Sequence, residues 1–295
     1  MSKLIRLDGT RAAKEIGPLS LKAALTWSTL FIVAFLSFLS CNSGTLETSS
    51  GAKTLILSSI SKVSSEELYR TVKDLEAFGT RFTWEKQDEV AEYLRRRLEE
   101  YGIEVLLDEY SFNDRKWKNV VGTIKGKGRP ADITMIIAHF DSISKQPESI
   151  APGADDNGSG TAALLEIARV LSNVRLRDTV EFVIFSNEEQ GHLGSKHFAK
   201  KAKSEGLNLK GVVNLDIIGY NNPPISKPQD KVDLIESTKS VMRAARSRIF
   251  KILYPNGRVT IAGRGENRRL VQVTSAVMKK YTKLGVNALV DEDCG

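Results

Sequence analysis

The chain runs to 295 residues, 41% hydrophobic and 27% charged, with a formal charge of +7; this is ordinary globular composition, sufficient for one large domain or two modest ones. A basic excess this mild in a chain this long makes no case for a nucleic-acid partner. Two remote cysteines, Cys41 and Cys294, exclude both a disulfide framework and a cysteine-based zinc site.

Residues 1–22 form a basic arm with Lys3, Arg6, Arg11, Lys14 and Lys22, and 23–40 follow as an apolar run without a charge. A charge at the bilayer centre costs roughly 2.5 to 3.5 kcal/mol. The run is therefore expected to partition into lipid, with the cations left in the cytoplasm and the rest of the chain outside it. Two forms fit: a retained signal anchor, since about 18 residues nearly span a bilayer, or a cleaved signal, since small residues close the apolar region. The second form gives a secreted protein, or a lipid-anchored one, because Phe38-Leu39-Ser40-Cys41 resembles a bacterial lipoprotein cleavage site with Cys41 as the lipid acceptor. Residues 41–63 begin small, polar and without period, which predicts a flexible linker.

The folded domain is expected over 64–295. Ser64 and Glu67 have capping-box spacing, and Leu68, Val72 and Leu75 follow at helical intervals, which predicts a helix to Phe78. A second helix is predicted over 86–101, with Val90, Leu94 and Leu98 on one face and Gly102 as its stop. Short apolar runs then read as strands at 103–107, 120–124, 133–138, 180–185 and 212–215, several too continuously apolar to be half exposed. Helices at 159–171 and 194–204 separate the later strands. The alternation predicts a three-layer α/β fold with a mostly parallel central sheet flanked by helices. Residues 239–283 are basic against Glu266 alone. They read as a solvated loop and helix face whose first half is an insertion decorating the catalytic side, with anionic lipid or an acidic substrate as the functional alternative.

Polar residues cluster where the strands end. His139 and Asp141 follow MIIA, Asp155 and Asp156 sit in PGADDNGSG, Glu188 and Glu189 follow VEFVIFSN, and Asp216 follows VVNL. In an open parallel sheet the ligand crevice lies beyond the carboxyl ends of the strands, so these four segments converge. One imidazole among several carboxylates repels itself unless cations are present. Zinc suits such a set, bonding His nitrogen and carboxylate oxygen at about 2.0 to 2.2 Å, and two ions roughly 3.5 to 4 Å apart share a bridging carboxylate. Manganese or cobalt could substitute. Adjacent residues leaving a strand point in different directions, so one of the paired glutamates can hold metal while the other addresses the attacking water. A phosphate cradle at Gly153, Gly158 and Gly160 is disfavoured, since no lysine follows and two aspartates stand where phosphate would.

The elements AHFDS, APGADDNGSG, FSNEEQGHLGS and NLDIIGY, in that order and spacing, resemble the M28 family of zinc aminopeptidases over roughly residue 64 to the end. The resemblance implies a zinc-exopeptidase-like fold, two zinc ions, and hydrolysis of the first peptide bond of peptides or proteins with a free amino terminus. It implies His139 and Asp216 on the first ion, Asp155 as the bridge, Glu189 on the second ion, Glu188 as general base, and Asp141 as the partner that orients His139. It further implies a cis peptide between Asp155 and Asp156. The family's second histidine ligand belongs to a Ser-Asp-His segment downstream of Asp216, and the chain reaches Gly295 about where that segment should begin, while His192 and His197 lie just after Glu189. Two explanations stand: a product shortened from a longer reading frame, without that ligand and the last core elements, or a complete protein keeping one competent metal or none. Two other functions stay open: a glutaminyl cyclase-like acyltransferase working with one metal, and a non-catalytic ectodomain that uses the fold for binding.

Overall fold

The computed structural model describes residues 50–219 and three later strands, 249–253, 258–264 and 285–291. The arm, the apolar run and Cys41 lie outside the described residues, as does much of the basic stretch 239–283. Helices α1 (Ser50–Ile60), α2 (Ser65–Ala77) and α3 (Trp84–Glu100) come first, then strands β1 (Glu104–Phe112), β2 (Arg115–Ile124) and β3 (Arg129–His139). A wide helical turn over Ala154–Ser159 leads into α4 (Gly160–Leu171), followed by β4 (Asp178–Phe185), α5 (Leu193–Ser204) and β5 (Asn208–Asn214). The later strands are β6 (Ile249–Leu253), β7 (Arg258–Arg264) and β8 (Gly285–Asp291).

All eight strands join one sheet in the order β1-β2-β4-β3-β5-β6-β7-β8. Its centre is parallel: β3 lies between β4 and β5 and runs with both, and β6 runs with β5. Antiparallel pairs stand on either side, where the β1–β2 hairpin docks on β4 and β7 docks on β6. The expected α/β layering is present, and the sheet is mixed rather than parallel throughout.

Period-2 alternation along β4 separates two cores. Val180, Phe182 and Ile184 face a large cluster that includes Ile56, Leu75, Leu94, Leu98 and Leu164 from helices α1 to α4. Val183 and Phe185 face Phe198 and Ala202 of α5 on the other side. Helix α4 is buried at every position but Arg169, as an element covered by both the sheet and other helices must be. The expected cap of α2 is present, with Glu67 N–H donating to Ser64 Oγ at 3.2 Å.

Three expectations are corrected. The linker predicted over 41–63 is helical from Ser50 to Ile60, because Ile56, Ser59, Ile60 and Val63 recur at helical spacing and Ile56 is buried in the main core. The first two strands are longer than their apolar cores, since the charged Asp108, Glu109, Arg115 and Lys116 continue the ladder. Their turn, Asn113-Asp114, takes φ of 50° and 58°, the two left-handed residues that a tight two-residue hairpin requires. Within the stretch read as loop and helix face, 249–253 and 258–264 pair as strands β6 and β7.

Candidate metal centre

Strand β3 ends at His139, and its two neighbours in the sheet deliver Glu188 and Glu189 after β4 and Asp216 after β5. The imidazole is 5% exposed. Its Nε2 lies 3.3 Å from Asp156 Oδ1 and 3.6 Å from Asp216 Oδ1, and its Nδ1 lies 3.4 Å from Asp141 Oδ1. His139, Asp156 and Asp216 present ligand atoms within 4.8 Å of one another, the one such group among the described residues. Tetrahedral zinc with bonds of 2.0 to 2.2 Å sets its donors roughly 3.3 to 3.6 Å apart, so the two contacts of Nε2 have the spacing of a coordination shell.

The electrostatics ask for a cation. Burial opposes charging His139, but its contacts with Asp141, Asp156 and Asp216 outweigh burial and push its pKa up to about 12. Glu189 is pushed up to about 7, by burial first and then by the charge of Asp156, with His139 opposing. Its Oε1 is buried without a hydrogen-bond partner, a costly state for a carboxylate that a metal ion would relieve. A nitrogen donor, carboxylate oxygens and an orphaned buried oxygen together fit zinc.

The aspartate pair is corrected by one residue. Asp156, not Asp155, reaches His139; Asp155 Oδ1 instead accepts from Gly219 N at 2.7 Å and from Ser159 Oγ at 3.0 Å. The cis peptide likewise joins Asp156 to Asn157 rather than Asp155 to Asp156. The cause is local. Gly153 enters the turn with φ of 48°, where a Cβ would meet Asp156 O at 2.4 Å, and Asp156 and Asn157 leave helical geometry, so neighbouring side chains diverge. Gly160 lets the turn close on the end of β5, since a Cβ there would lie 2.4 Å from Leu215 O.

Asp141 is fully buried. Beside its contact with His139, its two oxygens accept the backbone N–H groups of Glu188 and Glu189, each at 3.0 Å. The Glu188 carboxylate is partly open to solvent and lies 3.0 Å from His192 Nδ1. His197 stacks on Tyr110 and lies 3.5 Å from Asp108. Among the described residues, neither histidine is part of the His139 cluster.

Sequence reasoning missed the supports. Arg81 is completely buried, and its guanidinium donates to the carbonyls of Leu75, Phe140, Pro152 and Gly153, tying together the loops that flank Asp141 and the aspartate turn. Burial pushes its pKa down to about 10, and it remains a cation. Asn187, at φ of 52°, exchanges hydrogen bonds with Gln87 of α3 and donates to Tyr110 Oη of β1, fixing the chain just before the glutamates. A lone arginine in a polar loop and a glutamine on a helix carry no pattern that announces such roles.

The fold and the crevice define a mixed α/β domain whose imidazole and carboxylates gather at the carboxyl ends of three adjacent strands. Residues 119–265 match Peptidase family M28, and the chain belongs to that family. A probable leucine aminopeptidase of Trichophyton verrucosum is 33% identical over 256 residues, covering 82% of this chain and 59% of that protein. A probable zinc metalloprotease of Pyrenophora tritici-repentis is 30% identical over 54% of this chain and 43% of its own length. The crystal structure of Legionella pneumophila LapA superposes with a TM-score of 0.59 at 20% identity, covering 84% of this chain and 60% of that one, and so shares the fold. The chain spans less than two thirds of the length of each of these proteins.

Proposed function

We propose that this domain is a zinc-dependent aminopeptidase that removes the first residue of peptides with a free amino terminus. The observation that carries the reading is the His139, Asp156 and Asp216 cluster with Glu188 and Glu189 held beside it by Asp141. In this reading His139, Asp156, Asp216 and Glu189 would hold zinc, which when bound would polarise the scissile carbonyl and acidify the attacking water. Glu188 accepts a proton from that water at a carboxylate oxygen and delivers it to the nitrogen of the departing amine. Asp141 keeps the base and the ligands in register. The crevice carboxylates attract the α-ammonium of the substrate, which restricts cleavage to the first residue. The name of the Trichophyton relative, leucine aminopeptidase, supports the same substrate class. From the sequence alone we also propose that 23–40 carries the domain out of the cytoplasm and tethers it to a membrane; among the described residues no helix is long and apolar enough to cross one.

The test is release of the amino-terminal residue from an unblocked peptide, compared with its acetylated twin, before and after chelation and with zinc restored. Release from the free peptide alone, lost on chelation and recovered with zinc, is the expected result. Hydrolysis that survives chelation, or cleavage of the acetylated peptide, would overturn the reading. Conversion of amino-terminal glutamine to pyroglutamate without hydrolysis would identify an acyltransferase instead.

A further inference from the structure

Asp155 stands next to a proposed ligand and faces away from it, into a clasp between two loops. The turn over Ala154–Ser159 and the segment after β5 are joined side chain to backbone. Asn157 Nδ2 donates to Leu215 O at 2.8 Å, and Asn157 Oδ1 accepts from Ile217 N at 3.4 Å. Ser159 Oγ accepts from Ile218 N at 3.0 Å, and Asp155 Oδ1 accepts from Gly219 N at 2.7 Å. Three successive N–H groups, 217 to 219, are thus taken by alternate residues of the facing turn. Ser159 Oγ closes the clasp by donating back to Asp155.

Asp216 lies inside this clasp, between Leu215 and Ile217. Ile217 adopts φ of 51°, a left-handed conformation that a branched L side chain keeps only where its surroundings enforce it. The enforcement is visible in the bonds at 215, 217, 218 and 219. Alternation then does the rest: with 155, 157 and 159 turned toward the backbone of the facing segment, 156 is free to turn toward His139.

We propose that Asp155 is a positioning residue of the metal centre: through the Gly219 N–H, its carboxylate locks the segment carrying Asp216 against the turn carrying Asp156 and so sets the separation of those two ligands. The proposal rests on the metal-centre reading above. An asparagine at 155 keeps an acceptor oxygen for Gly219 N–H, whereas an alanine removes it.

The test measures zinc affinity by competition with a chromophoric chelator on the full chain, with circular dichroism to confirm folding and the visible spectrum of the cobalt-loaded protein as a geometric readout. Asp156→Asn is expected to lose binding. Asp155→Ala is expected to weaken zinc roughly 10- to 100-fold, the range for residues that orient ligands, and to shift the cobalt bands, while Asp155→Asn restores both. Ser159→Ala, which leaves every carboxylate in place, serves if Asp155→Ala does not fold, and is expected to weaken zinc as well. Wild-type affinity in the folded variants at 155 and 159, with Asp156→Asn still defective, overturns the positioning role and leaves the metal centre standing. Loss of zinc in Asp155→Asn equal to that in Asp156→Asn makes Asp155 a ligand and also overturns it. Wild-type affinity in Asp156→Asn overturns the metal-centre reading itself, and the proposal with it.

Discussion

At the scale of single residues, protonation and metal binding compete for the same atoms. Because the pKa of His139 is raised to about 12, the metal-free ring holds its proton at every pH below that value, and a metal ion must displace it. Zinc affinity should therefore fall about tenfold for each unit of acidification. Glu189, raised to about 7, is protonated below that pH and adds a second proton to be displaced, so the slope should steepen toward two. Chelator competition between pH 6 and 8.5 measures both slopes, and a flat profile would contradict the ligand assignment. In the proposed mechanism Glu188 serves the proton transfer and not the coordination shell. Glu188→Gln should lower kcat by about two to four orders of magnitude with zinc content unchanged, as read by metal analysis alongside rate measurements.

At the scale of elements, stability depends on features that hydrophobic pattern does not encode. Arg81 satisfies four carbonyls, one from the last turn of α2 and three from two loops. Arg81→Met should orphan them and destabilise the domain by about 2 to 4 kcal/mol, seen as a lower urea midpoint. In the hairpin turn, Asn113→Val places a branched side chain at φ of 50° and should cost about 1 to 2 kcal/mol. Helices α2 to α5 were legible because Leu68 and Leu75, or Leu94 and Leu98, repeat at the helical period and are buried. The inner halves of β2 to β5 were legible because both faces are covered. Helix α1 was masked by the small polar residues before it, and β6 and β7 by their cations. The choice between Asp155 and Asp156 was closed to sequence reasoning, because it turns on the dihedral angles of a non-helical turn rather than on residue type.

At the scale of the molecule, the order β4-β3-β5 makes the backbone ladder a ruler for the crevice. Strands repeat at about 4.8 Å, so the chains feeding the glutamates and Asp216 rise on opposite sides of the one that bears His139. The spacing of the ligands that leave these strands is then inherited from hydrogen bonds between strands, while the main apolar core lies between the helices and one face of the sheet. The two can be altered separately. Leu164→Ala, in the fully buried heart of α4, should cost about 2 to 5 kcal/mol yet leave the zinc affinity of the folded fraction near wild type, as thermal denaturation and chelator competition on one sample would show. A domain of this design can drift in its helical layers, trading robustness up or down, while the crevice keeps the dimensions that one metal chemistry requires.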